Sequence, residues 1–135
     1  MLAYIVGLAM LILTPPASGI AYHLRYDSSG ELSWAQQKVE FHEEASQEER
    51  AKTLIYASFG KNSPNFAPPD TKILTLLIHD DHLILNLSKQ ALSFGESYYE
   101  ELIRRQITKT ALAIDGIKRV TILVNNSKYY RVEKA

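Results

Sequence analysis

The sequence predicts an α+β domain of two layers, in which two helices pack on one side of a small sheet and the elements follow the order β-β-α-β-β-α-β. Two segments have the apolar stripe of an amphipathic helix, and each begins with a capping box. The segments before, between and after them alternate apolar and polar residues, which is the pattern of strands. A length of 135 residues and a hydrophobic content of 46% are typical of one globular domain.

Charge and cysteine content exclude several classes of function. Fifteen basic residues balance fifteen acidic ones, so no long-range field is expected to attract nucleic acid or an anionic membrane surface. The chain has no cysteine. Disulfides, thiolate metal ligands, cysteine nucleophiles and lipid attachment through cysteine are therefore excluded.

The first thirteen residues, MLAYIVGLAMLIL, carry no charged side chain. They are too few for a complete membrane span, which needs about 20 residues, but they suit a secretory signal with Ala17 and Gly19 near its cleavage site. No Lys or Arg precedes them, so an uncleaved anchor extending through Ala21 and a buried N-terminal helix are the alternatives. We expect residues 1–19 to be a signal peptide or membrane anchor and residues 20–135 to form a single extracytoplasmic domain.

The first part of the domain is predicted to be a hairpin followed by a helix. The strands IAYHLRY and ELSWAQQKVEFHE flank the turn residues DSSG, and a break in the second strand near Gln36 is left open. Ser46 and Glu49 form the capping box of the helix, which ends at Gly60. The predicted buried face of this helix is Ala51, Leu54, Ile55, Ser58 and Phe59.

The stretch LLIHDDHLIL predicts two further strands joined by the two-residue loop Asp80–Asp81, with His79 paired to His82. In this register one face of the strand pair is wholly aliphatic and is expected to pack on the helices. That face comprises Leu74, Leu76, Ile78, Leu83, Leu85 and Leu87.

A longer helix is predicted from Glu96 to Asp115, with a capping box at Ser97 and Glu100. IKRVTILVNN follows as the last strand, and SKYYRVEKA either extends that strand or lies outside it. The predicted buried stripe of the helix is Tyr99, Ile103, Ile107, Thr110, Ala111 and Ile114.

The residues of the loop LLIHDDHLIL could form a metal site, because His79 and His82 are expected on one side of the turn. A zinc site needs three or four protein ligands, and the sequence places no further His or Glu beside them. Asp80 and Asp81 are expected to fold back on local backbone N–H groups. We therefore predict no metal site.

No known catalytic motif occurs in the chain, so we predict no catalytic residue, no cofactor and no enzymatic activity. His42 lies in EFHEEASQEER, a charge run with five glutamates that is typical of a solvated face.

The second face of the predicted sheet indicates an interaction surface, because it is not polar. Ile73, Leu77, Ile84 and Leu123 are expected on it, whereas a face in contact with water alone should be polar. Two explanations are open: the N-terminal hairpin covers this face, or a partner protein contacts it.

From Ile20 to about Lys128 the chain resembles the GerM domain, the sporulation and spore germination family. The resemblance lies in PPDTKILTLLIHDDHLILNLSKQAL, in the helix after it and in IDGIKRVTILVNNSKY. The chain departs from the family pattern where Asp70 and Asp81 replace turn glycines, where Asn125–Asn126 replaces an Asp-Gly pair, and where Asn86 replaces an Asp. Asn and Asp tolerate left-handed backbone angles best after glycine, so these turns can be kept.

The resemblance implies a non-enzymatic, extracytoplasmic protein-interaction module involved in sporulation and germination, similar to the ring-building motif. Expected partners are other envelope or sporulation proteins or further copies of the chain, with membrane attachment through the N-terminal segment if that segment is uncleaved. The alternative is a small extracytoplasmic module that binds a ligand, a metal or a cell-wall fragment, at the His79/His82 loop or beside Trp34.

Overall fold

A computed structural model describes residues 18–92 and 97–134 of the chain. Within these residues it has two helices, six strands and a turn of 3-10 helix. In chain order these are β1 (Ser18–Tyr26), β2 (Leu32–Glu40), α1 (Gln47–Phe59), β3 (Ile73–His79), β4 (His82–Leu87), the 3-10 turn (Lys89–Leu92), α2 (Ser97–Leu112), β5 (Arg119–Val124) and β6 (Ser127–Glu133).

Strands β3 to β6 form a four-stranded sheet whose spatial order follows the chain. The pairs β3–β4 and β5–β6 are antiparallel, whereas β4 and β5 are parallel and are connected through α2. The predicted α+β class, with both helices on one side of a small sheet, is confirmed. The C-terminal segment neither extends β5 nor lies outside the sheet, because the chain reverses at Asn125–Asn126 and returns as β6.

Both helices pack on one face of the four-stranded sheet and enclose the core there. All five residues predicted for the buried face of α1 are buried, and Ser46 Oγ accepts a hydrogen bond from the Glu49 N–H at 3.1 Å, as the capping box requires. The core comprises Ala51, Ile55 and Phe59 of α1, Ile103, Ile107 and Ala111 of α2, and Leu76, Leu83, Leu85, Leu87, Val120, Ile122 and Val124 of the strands.

Gly60 ends α1 as predicted, although not through a left-handed backbone. Its φ is −70° and its N–H donates to the Tyr56 carbonyl at 2.7 Å. A Cβ at this position would lie 2.9 Å from that carbonyl oxygen. Glycine is therefore required here because the two backbone segments approach closely.

The stripe of α2 is confirmed from Ile103 to Ala111 and wrong at Tyr99, which is 50% exposed. Ile114 lies beyond the end of the helix and is partly buried against the core. At the start of the helix Glu100, rather than Tyr99, contacts the sheet and accepts a hydrogen bond from the Tyr129 hydroxyl. Burial and this bond raise the pKa of Tyr129 to about 12. The helix ends at Leu112 rather than Asp115, and the predicted capping side chain of Ser97 lies outside the described part of the chain.

The hairpin of β1 and β2 forms an additional layer on the helices, because β1 lies against both α1 and α2. Strand β2 is continuous through Gln36, which pairs with Tyr22. On β1, Ala21 and Leu24 are fully buried.

One buried amide connects this hairpin to the helices. Gln106 is 0% exposed, and its Oε1 accepts hydrogen bonds from the Leu24 N–H at 2.8 Å and from Asn65 Nδ2 at 3.0 Å. Its Nε2 donates to the Ser58 carbonyl at 2.7 Å and to the Asn65 carbonyl at 3.0 Å. This single side chain thus provides hydrogen-bond partners for polar groups of the free edge of β1, the end of α1 and the loop after it.

A second set of polar groups supports the same contact. The Tyr22 N–H donates to Thr110 Oγ1 at 2.9 Å, and Asn65 Nδ2 donates to the Leu24 carbonyl at 2.6 Å. His23 is buried, with its ring nitrogens bonded to Ser63 Oγ at 2.9 Å and to Gln37 Oε1 at 2.7 Å. The unpaired edge of β1 is therefore covered by side chains of α2 and of the loop after α1.

We expect Gln106→Leu to destabilise the domain by about 3 kcal/mol or more. The substitution leaves the Leu24 N–H and the Ser58 carbonyl buried without partners, at about 1–3 kcal/mol each. Glu101→Ala, on the exposed side of the same helix, should cost only a few tenths of a kcal/mol. Urea denaturation of the two variants checks this, and equal losses would show that the amide network does not hold the hairpin.

Candidate interaction surface

The face of the four-stranded sheet that points away from the helices is the candidate surface. Of the two explanations for its apolar residues, cover by the hairpin is excluded, because the hairpin lies on the helices. Strand register arranges this face in three rows across β3, β4, β5 and β6. The rows are His79–His82–Arg119–Glu133, Leu77–Ile84–Thr121–Arg131 and Thr75–Asn86–Leu123–Lys128.

Three of the four residues predicted for this face lie on it. Leu77 is 55% exposed, and Ile84 and Leu123 are half-buried. Together they form a short apolar stripe across β3, β4 and β5, which we call the sheet stripe. Its apolar residues lie between polar ones in neighbouring rows.

Ile73 was predicted on this face and lies on the other one. A β-bulge between Ile73 and Thr75 shifts the register, so that Ile73 pairs with Leu87 and packs against the core. The same bulge changes the position of Leu74. This residue was predicted to face the helices, but it is 46% exposed. An extra residue in one strand reverses the alternation on one side of it, and the sequence pattern alone does not show where that happens.

The turn between β5 and β6 lies at one end of the sheet stripe. Asn125 and Asn126 have φ values of 50° and 70°, the left-handed conformation expected of residues that replace a turn glycine. Asn126 exchanges two hydrogen bonds with the side chain of Asn86, at 2.7 and 3.1 Å. Asn86 is thereby 5% exposed, although it lies on the open face. Asp70 and Asp80 also have positive φ, whereas Asp81, which replaces the glycine of the loop, does not.

The other end of the stripe is the β3–β4 loop, where His79 pairs with His82 as predicted. Asp81, which was predicted to fold back on local backbone N–H groups, is held mainly by a side chain of β5. Its Oδ1 accepts two hydrogen bonds from the Arg119 guanidinium, at 3.0 and 2.9 Å. Its carbonyl also accepts the N–H groups of Lys118 and Arg119. The loop is therefore fastened to the start of β5, which is its parallel neighbour.

These contacts set the charge states at this end of the sheet. Hydrogen bonds from Arg119 lower the pKa of the Asp81 carboxyl. Burial, together with the positive charges of Arg119 and Arg131, lowers the pKa of His82, whose Nε2 lies 2.8 Å from Thr121 Oγ1. His82 is thus neutral at pH 7, and its ring is oriented by a hydrogen bond within the sheet.

Within residues 18–92 and 97–134, His79 and His82 do not form part of a larger ligand cluster. His79 is exposed, with its Nε2 3.5 Å from Asp80 Oδ2. Among the described residues no group of three or more His, Asp or Glu side chains is placed to hold a metal ion. His82 is hydrogen-bonded to Thr121, and Asp81 is hydrogen-bonded to Arg119.

Comparison with known proteins assigns the family. The model of the Germane family, described as sporulation and spore germination, matches residues 22–130. The chain belongs to this family. The resemblance seen in the sequence is thus confirmed over most of its length. Among curated proteins, none matches the chain.

Three solved structures resemble this Germane domain. One, from Clostridium perfringens, is described as a "putative lipoprotein": it is 27% identical, with a TM-score of 0.52, and the match covers 82% of this chain and 75% of that one. The first GerMN domain of the sporulation protein GerM from Bacillus subtilis has a TM-score of 0.61 at 18% identity, covering 84% and 86% of the two chains. The tandem GerMN domains of the same protein match at 0.61 and 11%, covering 87% and 44%. The two GerM matches establish a shared fold.

The predicted signal or anchor, residues 1–19, falls almost entirely on residues outside the described part of the chain. Within the described part, no helix is both long and apolar enough to cross a membrane.

Sequence reasoning missed two features that shape this surface. The β6 strand supplies Lys128, Arg131 and Glu133 to the open face. The available signal for it was the Asn125–Asn126 turn followed by Tyr129, Tyr130 and Val132, which are residue types that favour strands. Gln106, whose side chain holds the hairpin on the helices, lies beside Ile107 and interrupts the apolar stripe of α2. A polar residue at a stripe position was the available signal for a buried hydrogen-bond network.

The lowered pKa of His82 predicts a pH dependence of stability. An unfolded histidine binds a proton near pH 6.5, whereas folded His82 resists protonation, so stability is lost as the pH falls below about 6.5. His82→Gln, which keeps a hydrogen-bonding amide for Thr121, should make the loss between about pH 7 and pH 5 smaller than in the wild type. Urea midpoints at the two pH values measure it. An unchanged loss in the variant would contradict the assigned role of His82.

Proposed function

We propose that this Germane domain is a non-enzymatic protein-interaction module of sporulation or germination, and that it binds its partner through the sheet stripe. The observation that carries the proposal is the exposure of Leu77, which is 55% accessible on a sheet face that the hairpin leaves free. Contiguous apolar patches on an exposed face are a common mark of contact surfaces.

The surroundings of the stripe support binding rather than catalysis. Asn86, His82 and Asp81 are each engaged by a neighbouring side chain of the sheet or its turns. A small apolar centre within a polar border is the usual anatomy of a protein contact.

The position of the module is proposed to be extracytoplasmic, with residues 20–135 as one folded unit. The uncharged N-terminal run supports export or anchoring, and the relative from Clostridium perfringens is described as a putative lipoprotein. The partner is proposed to be another envelope or sporulation protein or a further copy of this chain. A scaffold or ring would follow if each copy contacts two neighbours.

Leu77→Lys and Ile84→Glu, made singly, should abolish association and leave the domain folded. Each charge would have to be desolvated in the contact, whereas it remains hydrated in the free protein. A photoreactive side chain in place of Lys128, on the rim of the same face, reports the contact as a crosslink in sporulating cells. A thermal melt of each purified variant reports folding.

Phe66→Lys is the matched control, because Phe66 is 58% exposed but lies in the loop after α1. It should leave the crosslink intact. Loss of the crosslink in all three variants, or its persistence in Leu77→Lys, would count against the sheet stripe.

A second candidate function is the binding of a small extracytoplasmic ligand. It is favoured by a groove of about 300 Å³ between the end of α1 and the loop after it, lined by Tyr56, Phe66 and Pro68–Pro69. Tyr56 and Phe66 are both more than half exposed beside it. Tyr56→Ala would then remove ligand binding without affecting the crosslink from position 128.

A further inference from the structure

A second exposed surface lies along the seam between the hairpin and the outer side of α2. Trp34, Tyr26, Tyr98 and Tyr99 are between 37% and 59% exposed there. The ring of Tyr22 lies edge-on to Trp34, with centroids 6.4 Å apart. We call these five aromatic residues, with Arg105 and Lys109, the aromatic seam.

Two cations are held over the rings of this seam. Lys109 Nζ lies 5.0 Å from the ring centroids of both Tyr22 and Trp34, and the Arg105 guanidinium lies 5.7 Å above Trp34. Neither forms an ion pair with a carboxylate among the described residues. The rings thus position two positive charges at the surface without neutralising them.

The other end of the seam also joins the hairpin to α2. The hydroxyl groups of Tyr26 and Tyr98 share a hydrogen bond, and the ring of Tyr99 packs edge-on against Tyr98 at 5.8 Å. Aromatic rings with polar tips therefore run along the seam from Tyr22 to Tyr99, and the two cations lie among them.

We propose that the aromatic seam docks on an anionic lipid surface. Tyrosine and tryptophan, with rings that are apolar on one side and polar at the tip, concentrate at membrane–water interfaces. Lys and Arg beside them add attraction to anionic headgroups. The proposal rests on the extracytoplasmic position given under the proposed function, and it adds the orientation of the domain relative to the membrane.

The chain itself places the seam near a membrane if the N-terminal run enters one. Only residues 14–17 separate that run from Ser18, where β1 begins, so β1 starts within roughly 18 Å of the end of the run. β1 carries both Tyr22 and Tyr26. With the seam on the lipid, the sheet stripe faces away from the membrane, because the hairpin and the open sheet face lie on opposite sides of the helices.

Trp34 is the chain's single tryptophan, so its fluorescence reports the seam alone. The full chain would be mixed with vesicles of phosphatidylglycerol and phosphatidylcholine, or of phosphatidylcholine alone. We expect Trp34 emission to move to shorter wavelength and quenching by acrylamide to fall with the anionic vesicles only. Raised salt should reverse both changes, because it screens the charges.

The double variant Arg105→Gln/Lys109→Gln should weaken this docking by roughly 30-fold, which is about fivefold for each basic residue. Lys52→Gln/Lys61→Gln removes the same charge from exposed positions outside the seam and should have no effect. Co-sedimentation of the chain with vesicles of phosphatidylcholine alone, to which the seam is not expected to bind, measures anchoring by the N-terminal run separately. Whether the N-terminal run anchors the chain is therefore determined independently of the change in Trp34 fluorescence.

Three outcomes would overturn the proposal. Trp34 emission could be the same with and without anionic vesicles. It could shift equally in the Arg105/Lys109 variant, in which case the seam cations do not contribute. It could shift with soluble polyglutamate but not with vesicles, in which case the seam recognises an acidic chain rather than a membrane. None of these results would affect the crosslink that tests the sheet stripe.

Discussion

The buried side-chain amide of Gln106 is the interaction on which the arrangement of this domain depends. A two-stranded hairpin has little stability alone, and its free edge exposes unpaired backbone groups. Gln106 accepts the Leu24 N–H from that edge and donates to the end of α1, so one residue joins the hairpin to both helices. Because the amide is completely buried, each of these groups would otherwise be left without a partner.

Fixing the hairpin on the helices determines which surfaces remain free. The helices lie between two layers: their inner side covers one face of the four-stranded sheet, and their outer side is covered by β1. The second sheet face, with Leu77 on its edge strand β3, is left outside both contacts. Binding of a partner at this face and docking of the seam around Trp34 on a membrane are therefore geometrically compatible, because they use opposite sides of the molecule.

The parts of the fold that follow from periodicity could be predicted. The buried face of α1 and the His79–His82 loop have strong local signals, and both are present. The parts that depend on contacts distant in sequence could not. The bulge that moves Ile73 to the core, and the pairing of Asp81 with Arg119, depend on which strands meet. For the surface, the sequence indicated its apolar residues, but only the position of the hairpin shows that they are uncovered.

Thiol accessibility tests most directly whether the hairpin lies on the helices and leaves the sheet face free. The chain has no cysteine, so a single introduced thiol can be followed alone. In the folded monomer, the thiol of Leu77→Cys should react with a maleimide about as fast as in the unfolded chain. The thiol of Ala21→Cys, at a position 0% exposed on β1, should be strongly protected. Protection at position 77 together with rapid reaction at position 21 would contradict this arrangement.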